Sequence, residues 1–213
     1  DFEKANFPIG VEGGKTSTCP TQNLMEAYDM KDGTPFVWNN QSDPYDNRDP
    51  RMKYTIVCNE MKWPVDPVEI WEGGTNGLPL QNATTTGYYL KKYVNNTISF
   101  EAGSTVTKKQ HNWVLFRYGE ILLNYAEAMI NAFHDPNYKD AVYNMSAREA
   151  VNQIRGRTNI SLPGFPSDIT EKDFVKRLKN ERRVELAFEG HRFWDVRRWK
   201  ELGQTANIYG VKI

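Results

Sequence analysis

Phe116-Arg117-Tyr118-Gly119-Glu120-Ile121-Leu122-Leu123-Asn124-Tyr125-Ala126-Glu127-Ala128 is the stretch on which the fold turns. Its apolar residues recur three and four positions apart, the period of a helix buried along one side. Extended in both directions, the pattern predicts a helix from about Trp113 to Phe133. Val114, Tyr118, Ile121, Leu122, Tyr125, Met129 and Phe133 form its apolar stripe, and Glu120, Asn124, Glu127 and Asn131 line another face. Downstream, Ser146 followed by Glu149 is a capping box, in which two side chains satisfy backbone N–H groups that a helix start leaves free. It opens a second helix with Ala147, Ala150, Val151 and Ile154 on the buried side. Thr170, with Asp173 three residues on, opens a third helix reaching about Glu189, and a fourth covers about Phe193 to Leu202. Alanines at contact positions let the first two helices approach closely, as in a tetratricopeptide-like pair.

The other half of the chain has a different texture. Residues 1–110 are rich in Gly, Pro, Asn, Asp and Thr, and residues 111–213 carry the helical pattern. Turn signals recur at Lys31-Asp32-Gly33, Asp43-Pro44, Asp49-Pro50, Trp63-Pro64, Asp66-Pro67 and Gly73-Gly74. Short apolar runs, Thr55-Ile56-Val57-Cys58 and Tyr88-Tyr89-Leu90, lie between them and read as strands. From the residues alone the fold expected is mainly α: a helical half joined to an irregular loop-rich region with short strands.

Composition narrows the function. The 213 residues include 27 basic and 27 acidic side chains, so no net field steers the chain to nucleic acid or to an anionic membrane. A neutral ligand fits this balance at least as well as a charged one. No apolar run is long enough to span a bilayer. Cys19 and Cys58 are too few and too far apart for a zinc pattern and read as free thiols. His111, His134 and His191 lack metal-ligand spacing, and no phosphate loop or nucleophile elbow occurs, so no cofactor, metal or catalytic residue is assigned.

The segment Glu181-Arg182-Arg183-Val184-Glu185-Leu186-Ala187-Phe188-Glu189-Gly190-His191-Arg192-Phe193-Trp194-Asp195-Val196-Arg197-Arg198-Trp199 breaks the simple pattern. Phe174 and Leu178 set a core stripe that continues onto Glu181, Arg182 and Glu185 before Phe188. Charge on a buried stripe is tolerated only when paired and hydrogen-bonded. Arg182, Arg192 and Arg197 are the cations expected to pair Glu181, Glu185, Glu189 and Asp195. So paired, these acids are poor general acids, and the cluster reads as a salt-bridge network fixing a helix corner.

Several of these stretches together resemble one family. Phe116–Ala128, Val151-Asn152-Gln153-Ile154-Arg155-Gly156-Arg157 and Glu181–Trp199 look like its helical signatures. Thr21-Gln22-Asn23-Leu24-Met25-Glu26-Ala27-Tyr28 with Met30-Lys31-Asp32-Gly33, Asp43-Pro44-Tyr45 with Asn47–Arg51, and Gly87-Tyr88-Tyr89-Leu90-Lys91-Lys92-Tyr93 look like its mid-chain segments. The family is the SusD/RagB group of outer-membrane nutrient-binding lipoproteins. The resemblance implies a SusD-like fold, a tetratricopeptide-like helical bundle with an irregular loop-rich region, and a receptor lipid-anchored on the outer face of the outer membrane. It also implies oligosaccharide as ligand and a TonB-dependent SusC-like transporter as partner. Asp1 is not an initiator Met, so signal peptide, lipid-attachment cysteine and early helices are expected outside this chain.

Sugar rings stack their C–H faces on aromatic planes, and their hydroxyls take hydrogen bonds from amides and charged groups. Trp38, Tyr45, Trp63 and Trp71 sit among turn residues in the loop-rich half and are the candidate ligand contacts, with Asn39, Asn40, Gln41 and Asp43 beside Trp38. The competing reading for each is a core plug beneath its loop. Trp113, Trp194 and Trp199 read as packing residues. Two other functions stay open: a protein-interaction scaffold or receptor for non-sugar cargo, and a glycoside hydrolase or lyase using Glu69 and Glu72 beside Trp71. The second needs two carboxyls held apart across a cleft.

Overall fold

A computed structural model describes residues 2–11, 13–38, 43–63, 65–99, 110, 112 and 114–213. In chain order it runs α1 (Phe2–Asn6), α2 (Gln22–Ala27), α3 (Pro50–Thr55), β1 (Ile56–Val57), β2 (Tyr89–Leu90), α4 (Tyr118–Phe133), α5 (Ala147–Arg155), α6 (Glu171–Glu185) and α7 (His191–Arg198). A 3-10 turn, Leu202–Thr205, follows α7. The protein is mostly helical, with β1 and β2 paired antiparallel, Ile56 opposite Leu90 and Val57 opposite Tyr89.

The capped helices begin where the sequence places them. Ser146 accepts a hydrogen bond from the Glu149 amide, and the Glu149 carboxylate accepts one from the Ser146 amide at 2.8 Å. Thr170 accepts from the Asp173 amide and starts α6. Without such a cap, α4 starts later than expected, at Tyr118, because Arg117 is extended. The buried side of α4 also differs from the expected stripe. Leu122, Leu123, Ala126, Met129 and Ile130 face the core, whereas Val114, Tyr118 and Ile121 are exposed. Two neighbours, α5 and α6, pack on α4 and share one core with it. A helix gripped on two sides has a wide apolar face, and its phase is poorly set by spacing alone.

Two helices of the loop-rich half escape the periodic reading because they have only six residues each. Thr21 caps α2 through the Leu24 amide. At α3, Asp49 accepts from the Arg51 amide and Pro50 occupies the first turn. Asp49-Pro50 is thus a helix start, where proline's missing N–H costs nothing. These helices and the two strands enclose two smaller cores. One holds Met25, Tyr28, Met52, Ile56, Cys58 and Tyr88 and takes in Val184 from α6. The other holds Phe7, Val57, Trp63, Val68, Ile70 and Tyr89. Cys19 and Cys58 are free thiols, Cys58 buried and Cys19 partly so, and burial pushes the Cys58 thiol up to about 12.

The chain's last residues return to the first half. Tyr209 O accepts from the Gln22 amide at 2.9 Å, and Thr86 O accepts from the Val211 amide at 2.9 Å. The Tyr209 hydroxyl donates to Glu26 at 2.9 Å. These contacts join the C-terminal tail to α2 and to the approach to β2.

Candidate functional site

The charged residues at the end of α6 are buried, and their partners come mostly from elsewhere in the chain. Glu181 takes Arg51 Nη1 at 2.5 Å and Arg155 Nη1 at 2.7 Å. Glu185 takes Arg51 at 2.9 Å, Arg117 at 2.6 Å and Arg157 at 2.8 Å. Glu189 takes Arg117 Nε and Lys92 Nζ, both at 2.7 Å. Of the expected cations only Arg182 serves, pairing Asp195 at 2.8 Å and donating to Asn124 at 2.6 Å. Arg192 instead donates to Gln204, and Arg197 lies 3.3 Å over the Phe193 ring. The reason is direction: α7 turns Asp195 and Val196 inward and leaves Phe193, Trp194 and Arg197 outside.

Gly119 has a role in this network. A Cβ there would sit 2.7 Å from Arg117 Nη1 and 3.1 Å from Glu185 Oε1, so the first turn of α4 must be bare where the pair crosses it. The polar face of α4 receives α7. Glu120 lies 3.7 Å from His191, and Glu127 pairs with Arg198 and accepts from Trp199 Nε1 at 2.8 Å.

The network's electrostatics argue against acid–base work. Burial pushes the Glu185 carboxyl up, but Arg51, Arg117 and Arg157 together outweigh it and hold it at about 2. Burial likewise acts on Glu181 and Glu189, and their arginines and Lys92 still keep both below the usual range. A general acid near neutral pH needs the opposite shift. Glu69 is engaged by Thr75 and Glu72 lies 3.4 Å from Lys212. Among the described residues no group of three or more His, Cys, Asp or Glu could hold a metal ion, and no helix is long and apolar enough to cross a membrane.

The loop aromatics divide into two kinds. Trp71 is 37% exposed on a loop whose backbone is tightly braced. Buried Asn76 accepts from the Glu69 amide at 2.9 Å and donates to Ile9 O at 2.6 Å, while the Gly74 amide donates to Trp71 O at 2.9 Å. Trp38 is 51% exposed and edge-on to Phe36, ring centres 6.0 Å apart. Trp63, at 3% exposure, sits edge-on to Phe7 in the core. Its faces are covered, so it leaves the set of stacking candidates. Tyr45 is half-buried, edge-on to Tyr88 and hydrogen-bonded to its hydroxyl. Of the four, Trp38 and Trp71 offer open rings. Asn39, Asn40, Gln41, His111 and Trp113 lie outside the described residues.

Two helical tryptophans also part ways. Trp199 packs as expected, bonded to Glu127 and stacked by Lys179 and Arg198. Trp194 does not: it is 67% exposed, edge-on to an exposed Phe193. Sequence spacing could not separate these cases, because both lie on short α7 or just after it.

Comparison with known proteins gives a consistent result. A sequence profile of the SusD family matches residues 4–212. A SusD-like protein of Bacteroides fragilis has a structure that superposes with a TM-score of 0.80 at 27% identity, covering 100% of this chain and 43% of its own. A second protein of that organism, described as a SusD-like carbohydrate binding protein, gives 0.78 at 26% identity over 98% of this chain and 41% of its own. A SusD-like protein of Formosa agariphila is 37% identical over 91 residues, 40% of this chain and 16% of that protein. The chain thus spans less than half the length of each of these relatives.

Proposed function

Because this chain belongs to the SusD family, we propose that it is part of a cell-surface receptor that binds oligosaccharides without catalysis and passes them to a TonB-dependent SusC-like transporter in the outer membrane. A lipid anchor outside these residues holds the receptor there. The observation that carries the reading is Trp71, an open indole on a loop fixed by the buried Asn76. A flat aromatic face held rigidly is what stacking on a sugar ring requires, since ordering it on binding costs little. Trp38 offers a second exposed aromatic face. Solved relatives support the ligand class, one of them being described as carbohydrate binding. Paired, strongly ionised carboxylates support the absence of catalysis.

Isothermal titration against an oligosaccharide panel tests the reading. Trp71→Ala and Trp38→Ala should each weaken binding by about tenfold, the worth of one stacking aromatic, with circular dichroism unchanged. No heat with any glycan would remove the receptor reading. The exposed Phe193–Trp194 pair favours a second reading, a protein-interaction scaffold. Co-purification with a transporter in the absence of any glycan binding would select it.

A further inference from the structure

A cavity of about 450 Å³ opens between α2, the 29–36 turn, α6 and α7. Its wall is unevenly charged. Asp29, Glu181 and Glu201 each face a cation, at 3.4 Å from Arg155, 2.7 Å from Arg155 and 2.6 Å from Lys179. Among the described residues Glu26 accepts hydrogen bonds only from Gln22 and Tyr209. Against that single acid stand Arg183, Arg192, Lys172 and Lys176, none of which forms an ion pair among the described residues.

Arg183 is the sharpest case. It is half-buried, it makes no hydrogen bond within the described protein, and Arg192 is its neighbour. Burial first and the Arg192 charge second pull its guanidinium down to about 10, against a smaller opposing pull from Tyr28, Tyr209 and Glu26. Arg51, Arg117, Arg155 and Arg182 all hold carboxylates, and buried Arg48 donates to the carbonyls of Met25, Tyr28 and Pro44; among the described residues Arg183 has neither kind of partner. Two neighbouring like charges in a half-buried wall are destabilising to the extent that acids nearby do not offset them; Glu26 acts on Arg183, Asp195 and Glu201 act on Arg192, and a bound anion would add to these. The fork of a guanidinium also fits an oxyanion in two-point contact.

The cavity adjoins one of the two open indoles. Phe36 lines it, and Trp38 stands edge-on to Phe36. We propose that this cavity is an oxyanion subsite that makes the receptor select acidic saccharides, those carrying a carboxylate or sulfate group, with Arg183 and Arg192 holding the anion and Trp38 available to the ring beyond it. The proposal rests on the glycan-receptor reading and adds a charge requirement to it.

Titration at low salt separates the two. The probes are an oligogalacturonate beside its methyl-esterified form, a sulfated oligosaccharide beside its desulfated form, and inorganic sulfate alone. The acidic member of at least one pair should bind about tenfold tighter than its neutral partner, the worth of a charge-assisted contact. That preference should shrink as salt is raised. Arg183→Gln and Arg192→Gln should bring the pair to parity, while Lys200→Gln, an exposed change away from the cavity wall, leaves the preference intact. The carboxylate and sulfate arms report which oxyanion the pair prefers. Equal affinity for acidic and neutral forms overturns the subsite, as does a preference that survives both arginine changes. Were no saccharide to bind at all, the receptor reading would fall. Sulfate binding lost in Arg183→Gln would then still uphold the anion pocket, and no sulfate binding would overturn it too.

Discussion

Arg51 reaches three carboxylates at once: Asp49 at 2.7 Å, Glu181 at 2.5 Å and Glu185 at 2.9 Å. Removing one member of a buried ionic cluster leaves the others charged and unsatisfied, at a cost of about 3–5 kcal/mol. Arg51→Met should lower unfolding stability by that amount in urea titration. Arg51→Lys should recover little, because one ammonium cannot offer the planar set of donors the three acids share. A loss below about 1 kcal/mol would show that Arg155, Arg117 and Arg157 already satisfy the acids. The acids of this cluster are legible in sequence, since Glu181 and Glu185 fall on a stripe begun by Phe174 and Leu178. Their cations are not. Arg51 lies 130 positions from Glu181, and nothing in local spacing points across that interval. Trp63 and Trp71 show the same limit. Both sit among turn residues, and only the packing of Phe7 on one of them tells core from surface.

At the scale of elements, hydrogen-bonded caps were the dependable signal. The start of α5 is fixed by Ser146 and Glu149 together. Ser146→Ala should cost about 0.5–2 kcal/mol, and Glu149→Gln, which keeps an acceptor for the Ser146 amide, distinctly less. Urea unfolding of the two variants checks the order; no loss in Ser146→Ala would mean that the cap bond adds nothing. Helices marked by caps, α5 and α6, begin where expected. Helix α4 has no cap bond, and its start moved by several residues, because Arg117 leaves helical geometry to reach Glu185 and Glu189. The end of α6 moved too. Leu186 closes the helix, and Phe188 adopts a left-handed conformation at φ 61, which swings Glu189 toward Lys92. Both displacements were set by tertiary ion pairs, which periodicity does not record.

For the whole molecule the network ties stability to pH. Glu185 is held at about 2 in the folded chain against an ordinary 4.5, and Glu181 and Glu189 shift in the same direction. Depressed carboxyls stabilise fully above their unfolded value, and that contribution is lost as pH falls through the folded one. Thermal midpoints should therefore hold near neutrality and drop steeply between pH 4.5 and about 2. Arg51→Met should flatten that drop, and an unchanged slope would separate acid sensitivity from this cluster.

The same cluster bears on how such a protein can be rebuilt or inherited. Its acids stand on α6 and the turn after it, and its cations on α3, beside β2, before α4, on α5 and just past it. A chimera that borrows only the last two helices from a relative would import donors' mates without the donors. Swaps succeed only if residues 51, 92, 117, 155 and 157 travel with 181, 185 and 189. The two textures of the chain, distinct to the eye, form a single unit of exchange.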